Sequence, residues 1–454
     1  MTEVLADLAI TLAEKMKIDA TEVFVQSKDI KRVEIKNGMI RHVIEQEKSG
    51  IAIRSIIDNQ MSFVSSNAAN KINEILELSV QNAKTSTQKV SRDFVNRKFI
   101  TPVQQIRDDQ LRDITLEGMC DRVTEILSSI ERSKPVKNID GEVTIETEER
   151  LIANTEGLWK REVGTRLKAD IITTTKVDDF IGMGSGHLAS RVLQNNWQSL
   201  FNTSIKTAYS LRNRNKMTIG RPRGVIFSPE AAAQILAYAL IPSFHYTSGS
   251  HYYDSFQNCR FNKNIIIVDD PTYPGAQNTF GFDDEGYPSK PRDVLSGGKC
   301  KRLLGMNFSC PEFDKKEVYR GNCYRVAVLS NDTRSYVYPP TVSSSNFVLK
   351  ARKPFAESMI QELNSGIYIK EIVGAEDANY YTGDFVVTAI EGYEIKNGEI
   401  LNPILPCYCS GNIYRMLEDS SLIIGNKPQE VPIKSTPLNV IMPEILSTRM
   451  TISI

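Results

Sequence analysis

The sequence predicts an α+β protein in two parts. An N-terminal α/β layered region is built on an antiparallel sheet, and a β-rich barrel or sandwich-like region follows. Three observations carry this reading. Residues 1–84 pass from helical spacing to strict alternation and back to helical spacing. A second run of alternating residues lies between Gly141 and Asp179. Beyond Arg223, many short apolar runs are broken by Gly, Pro and Asn. The expected boundaries are 1–215 for the first part, with subregions 1–90 and 105–215, and 223–454 for the second.

In "MTEVLADLAITLAEKMKID", Val4, Leu5, Leu8, Leu12 and Met16 recur at helical spacing, and Thr2 can cap the helix. The stretch Glu22–Ser66 is rich in Val and Ile. It is punctuated at Lys28-Asp29, Asn37-Gly38, Ser49-Gly50 and Asp58-Asn59. Asn-Gly suits a type I′ hairpin, whose two central residues need positive φ. An antiparallel meander follows from this. Asn70–Lys84 returns to helix, with Ile72, Ile75, Leu76, Ser79 and Ala83 on one side. Residues 84–103 are polar and irregular. One long helix is expected over Asp108–Ser133, then strands over Gly141–Asp179 turning at Asn154–Gly157, then a helix from about Leu188 to Leu211.

"GMGSGH" (Gly182–His187) lacks the Lys-Ser/Thr ending of a P-loop and the full dinucleotide-binding spacing. It is read as a flexible loop, with His187 facing solvent. "YSLRNRNKMTIGRPR" (Tyr209–Arg223) is read as a solvated connector. In the C-terminal part, Ser228 caps a helix, Pro229 suits its first position and Glu230 complements its dipole. The interior "AAAQILAYALI" is apolar on nearly every face, which places the helix inside its domain. Pro242 stops it. Short helices are expected near Ala356–Gly366 and Gly411–Asp419. A hairpin is expected at "YEIKNGEIL" (Tyr393–Leu401), whose Ile-Lys-Asn-Gly repeats the turn chemistry of Ile35–Gly38.

Lys plus Arg and Asp plus Glu each number 55, so formal charge is zero. That disfavours a nucleic-acid partner, which calls for clustered positive charge. No run reaches the roughly 18 apolar residues of a membrane span. No signal peptide is visible, and the cysteines are odd in number. The expectation is a soluble cytoplasmic protein without a disulfide framework. Cys407 and Cys409 alternate as a strand would, placing both sulfurs on one face.

Further resemblance rests on quoted elements. "SGIAIRSIIDNQMSFVSS" and "IANTEGLWKREVGTRLKA" lie in the first half. "VDDPTYPGAQNTFGFDDEGYPSKPRDVLSGGKCKRLLG", "SGIYIKEIVGAEDANYYTGDFVVTAIEGYEIKNGEILNPI" and "IIGNK" lie in the second. Through these, nearly the whole chain resembles the TldD/PmbA (TldE) family, known as metalloprotease subunits and modulators of DNA gyrase. The catalytic TldD branch carries His-Glu-x-x-x-His on a helix after a Pro-Glu-Ala-Ala start. Aligned on Pro229–Ala232, the three motif residues fall on Ala237, Tyr238 and Pro242. The branch's Cys-Gly-Lys element aligns with Gly425-Asn426-Lys427. A zinc site needs imidazole or thiolate donors and a base for the bound water. The resemblance therefore implies the PmbA/TldE branch, with no metal or cofactor in this chain. It also implies zinc in a TldD-like partner, or alternatively a homodimer, and unfolded peptide as substrate.

Other residues invite chemistry. His245, His251 and Asp254 flank a polar tract whose spacing suits neither a helix face nor a finger. They are read as lining a groove or interface. Asp269, Asp270, Asp283, Asp284 and Glu285 are candidates for cation binding or acid–base work, but turn architecture around Pro271 and Gly286 accounts for them. Two alternative functions stay open. One is an autonomous hydrolase with a nonstandard His/Asp site. The other is a regulatory binding protein of the gyrase-modulator kind.

Overall fold

The computed structural model describes residues 2–90, 94–96, 98–130, 136–177, 180–220, 222–246, 260–308, 318–327, 334–433 and 436–453. Helix α1 (Thr2–Lys15) precedes strands β1 (Ala20–Lys36), β2 (Met39–Ile57) and β3 (Gln60–Ser66). The hairpin turns fall where the sequence places them: Asn37 and Gly38 have φ of 54° and 70°, Asp58 and Asn59 of 50° and 63°. Lys28-Asp29 and Ser49-Gly50 are not turns; the strands run straight through them. Helix α2 (Ile72–Thr85) buries the five residues expected of it.

The long helix expected at 108–133 divides. Helix α3 (Asp109–Arg112) is capped by Asp108, and α4 (Leu116–Ser129) restarts under its own cap, Thr115. Side chains that accept backbone N–H groups twice within eight residues favour two short helices over one. Strands β4 (Val136–Asn154), β5 (Trp159–Val177) and β6 (Phe180–Ser190) complete an antiparallel sheet of order β3-β2-β1-β4-β5-β6.

Two expectations need correction here. Helix α1 does not bury Val4, Leu8 and Met16, which are 71%, 45% and 39% exposed. It buries Ala6, Ala9 and Ala13, an equally helical stripe of small residues that brings the helix axis close to the sheet. "GMGSGH" is not a loop but the middle of β6, and the helix expected from Leu188 is α5 (Trp197–Ser210). Gly182, Gly184 and Gly186 point at α5. A Cβ on Gly184 would lie 2.3 Å from the Ser204 carbonyl oxygen and 2.4 Å from the Ala208 nitrogen. The glycines serve helix-on-strand packing, not phosphate binding. His187 is exposed and hydrogen-bonds Asp170 at 2.6 Å.

The connector from Tyr209 is exposed or half-buried at every described residue except Leu211. It is pinned by the Glu394 carboxylate, which accepts from Thr218 and Ile219 N–H groups at 2.9 Å. Beyond it lie two sheets. One has six strands, in the order Lys299–Cys300, Arg292–Ser296, Ile265–Asp269, Asn346–Ala351, Asn439–Met442, Gln429–Pro432. The other has eight and contains β7 (Val225–Phe227), parallel to Ser365–Val373, beside Asp384–Lys396 and Cys407–Asn412. Helix α6 (Pro229–Ala239) lies in the apolar core that residues of both sheets share. Cys407 and Cys409 are buried on one face of their strand, as alternation implies. Among the described residues no helix is long and apolar enough to cross a membrane.

Gly184→Ala should lower stability by about 1–3 kcal/mol, because backbone atoms must give way. Gly220→Ala, with open space around its Cβ, should be close to neutral in the same denaturant titration.

Candidate functional site

The helix singled out by the sequence is built as expected. The Ser228 hydroxyl accepts the Ala231 N–H at 3.1 Å and donates to the Lys370 carbonyl at 2.8 Å. Ala231, Ala232, Ala233, Ile235, Leu236, Ala237 and Ala239 are buried. A short 3-10 helix, Ile241–Phe244, carries Pro242 and ends the segment. The three motif-aligned positions present a methyl group, a phenol and a pyrrolidine ring. Ala237 is 0% exposed. Tyr238 is half-buried, and burial raises its phenol above the ordinary value, with Glu376 adding to the effect. Gly425 is occupied by a backbone hydrogen bond to the Glu444 carbonyl, 2.9 Å. These residues do not fit a zinc ion: they supply neither the donor atoms nor a base. Among the described residues, no group of three or more His, Cys, Asp and Glu side chains is arranged to hold a metal.

Just beyond α6, two candidates converge. The His245 Nε2 lies 2.9 Å from the Ser344 hydroxyl. Asp269 ends its strand with Oδ1 accepting from the Ser345 N–H at 2.6 Å and the Ser345 hydroxyl at 2.9 Å, while Oδ2 accepts from Asn322. Both therefore meet the tract Ser343–Ser345, which sequence reading missed. Burial depresses the His245 imidazole to about 4, so it is neutral at pH 7. Burial raises Asp269 to about 6, against the pull of Arg292. Ser344 is itself buried, so the contact ties the end of α6 to the serine tract. His251 and Asp254 lie outside the described residues.

The acidic tracts divide by role. Asp270 closes a turn, accepting from the Thr272 N–H at 2.9 Å and its hydroxyl at 2.6 Å. Asp283 does the same for the N–H groups of Glu285 and Tyr287, at 3.1 and 2.8 Å, with Gly286 at φ 85°. These are the turns the sequence implies. Asp284 and Glu285 are the central residues of this second turn, which the Gly286 N–H closes onto the Asp283 carbonyl at 3.0 Å, but their carboxylates reach beyond it. They insert into a charged face of the N-terminal sheet. Asp284 pairs with Arg334 at 2.7 Å and accepts the Arg325 N–H at 2.7 Å. Glu285 lies 3.5 Å from Arg54 and accepts the Asn307 N–H at 2.6 Å.

That face explains the attachment. On β1, β2, β4 and the start of β5, the odd-numbered residues pack against helices and the even-numbered ones turn toward the C-terminal half. Glu22, Gln26, Lys28, Arg54, Glu148, Arg150, Lys160 and Arg166 are all even and all buried. Strand register sets Glu22 opposite Arg54, Arg150 opposite Glu162 and Glu146 opposite Arg166. Glu22 meets Arg54 at 2.8 Å and reaches Arg325 at 3.3 Å. Phe280 and Phe282 enter among the cations: Arg334 lies 3.7 Å and Arg150 4.4 Å from the Phe280 ring centroid. Burial raises Asp283 to about 8, helped by Glu285, and raises Asp284 to about 6. Glu148 goes the other way, to about 2, because Lys28 and Arg166 outweigh its burial. The tract is a clamp between the two halves of the chain.

Arg54→Met should cost about 3–5 kcal/mol by leaving buried carboxylates unpaired, and adding Glu22→Gln should recover part of it in urea titrations. For His245, stability is intact above its ordinary value of 6.5 and is lost as pH falls toward 4. The unfolded chain takes up a proton that the folded chain refuses, worth about 3 kcal/mol at the low end. The difference between wild type and His245→Gln across that window reads this contribution.

Comparison with known proteins follows the same outline. The profile of the PmbA/TldA metallopeptidase C-terminal domain matches residues 221–454, and that of domain 1 matches residues 21–83. An uncharacterized protein of Methanocaldococcus jannaschii is 27% identical over 46% of this chain, a match that spans 47% of that protein. A metalloprotease of the same organism is 20% identical over 91% of this chain and 94% of its own length. The solved structure of TldE from Thermococcus kodakarensis superposes with TM-score 0.81 at 20% identity, covering 99% of this chain and 100% of that one. A protein from Thermotoga maritima described as a modulator of a DNA gyrase gives TM-score 0.79 at 17% identity, with both chains fully covered. At these identities the structural matches speak for the fold alone. With its C-terminal 234 residues matched by one family profile and a second stretch matched by another, the chain belongs to the PmbA/TldA metallopeptidase family, that of TldD, PmbA and TldE.

Proposed function

We propose that this chain is a PmbA/TldE-like subunit of a TldD/TldE-type metalloprotease acting on unfolded peptides, and that it does not itself cut. One observation supports this above others: the helix that would carry the metal ligands has Ala237, Tyr238 and Pro242 in their places, with Ala237 sealed in the apolar core. Neither histidine donor nor activating carboxylate is offered there, so water activation by a metal has no foothold on α6. The zinc of the assembly belongs to a TldD-like partner. The role left to this chain is to complete the assembly and help hold an extended peptide.

Purified alone, the chain should carry far less than stoichiometric zinc and should not turn over unfolded peptides. Affinity purification from its host should recover a second chain bearing His-Glu-x-x-x-His. Stoichiometric zinc in the isolated chain, with peptidase activity abolished by His245→Ala, would overturn the proposal.

A further inference from the structure

Four guanidinium groups surround one phenylalanine ring at the seam between the two halves of the chain. The Cζ atoms of Arg334, Arg150, Arg191 and Arg166 lie 3.7, 4.4, 4.9 and 5.8 Å from the Phe280 ring centroid. None of the four arginines is more than 2% exposed. Three of them meet carboxylates. Arg334 holds Asp284 at 2.7 Å, Arg150 holds Glu162, and Arg166 lies 3.1 Å from Glu146 and 3.5 Å from Glu148. Glu146 also serves Lys28, at 3.6 Å. Farther along the face, Arg54 and Arg325 are balanced by Glu22 and Glu285. Around Phe280, however, these four carboxylates face five cations. A guanidinium keeps its proton inside a protein, so the surplus charge cannot be shed.

The surplus falls on Arg191. This residue directly follows β6, and its own donors reach only neutral carbonyl oxygens. Its backbone N–H donates to Gly275 at 3.2 Å and its Nε to Ala276 at 3.1 Å. Its Nη1 donates to Ile106 and Thr165, both at 3.5 Å. Among the described residues Arg191 pairs with no carboxylate, and its Nη2 has no hydrogen-bond partner. Burial and the neighbouring Arg166 both work against its charged form. Gln277, one residue beyond the Ala276 carbonyl, is 2% exposed, and neither atom of its side-chain amide is bonded. The Nη1 atoms of Arg150 and Arg334 also lack partners. Folded chains rarely leave several buried donors unmatched in one place, and an uncompensated buried charge is costly. The charge to be balanced is a single one, in surroundings closed to solvent. A peptide carboxylate would bring a chain with it, and phosphate would bring more charge than is needed. A monatomic, monovalent anion answers both conditions.

We propose that the seam between the two halves holds one chloride ion, bound by Nη2 of Arg191 beside Phe280. The ion balances the clamp from within. This site is separate from any contact with a zinc-bearing partner and does not depend on that reading.

Thermal unfolding of the full chain at pH 7, with chloride replacing gluconate at constant ionic strength, tests it. Gluconate is too large to enter. From about 1 to about 100 mM chloride, the wild-type midpoint should rise by about 3 °C more than that of Arg191→Gln, through mass action on the folded state. The difference between the two chains cancels general salt effects. Arg449→Gln, at an exposed arginine paired with Asp419, should respond as wild type does. In wild-type crystals grown with bromide in place of chloride, an anomalous-scattering peak should lie within reach of Arg191 Nη2, and this decides the matter if Arg191→Gln does not fold. Equal chloride responses in wild type and Arg191→Gln overturn the proposal. So does bromide found at surface positions only.

Discussion

A sheet face made of ion pairs, buried against the other half of the chain, governs how this protein is put together. Removing eight charged or polar side chains from water is unfavourable unless each finds a partner. Here the partners come from two directions. Glu22–Arg54, Arg150–Glu162 and Glu146–Arg166 are matched within the sheet by strand register. Asp284, Glu285, Arg325 and Arg334 arrive from the C-terminal half and complete the set. A shift of the docking by one residue would strand several charges at once. The face thus works less as glue than as a template that admits one relative placement. The aromatic rings of Phe280 and Phe282 add apolar contact and cation–π attraction in the same layer.

The opposite face of the sheet is solved by small residues. Ala6, Ala9 and Ala13 on α1, and Gly182, Gly184 and Gly186 on β6, each let backbone approach backbone. Close approach substitutes for bulky side chains along that stripe, while Leu5, Ile10 and Leu12 pack at its margins and Val4 and Leu8 stay outward.

How much of this could be read from the chain depended on range. Local chemistry was legible: the Asn37-Gly38 and Asn397-Gly398 turns, the Ser228 cap, the buried stripe of α2 and the apolar girth of α6 all follow from neighbours in sequence. The family resemblance was legible too. What failed was choice among equal local patterns. The first helix offers two stripes with the same period, and only the sheet beneath it selects the alanines. Alternating Gly in "GMGSGH" reads as freedom until α5 is known to lie upon it. The alternation in β1, β2 and β4 suggests a face open to water, yet that face is buried. One signal was available: the turn at Asn154–Gly157 fixes the register that sets Arg150 against Glu162 and Glu146 against Arg166. Reciprocal charges at matched distances from a hairpin turn mark a paired face. Nothing comparable announces that Asp284 and Glu285, at a turn in a distant region, are their counter-ions.

The seclusion of Ala237 restricts what can replace it. An imidazole there would need room where only a methyl group now fits, among isoleucine, leucine and phenylalanine. A carboxylate at 238 would sit at the margin of a dry core, and replacing Pro242 would alter the short helix that ends the segment. Each of these changes taken singly weakens the fold and yields no metal site. A metal site at these positions would therefore need several interior changes made together, each of them unfavourable to the packing around α6.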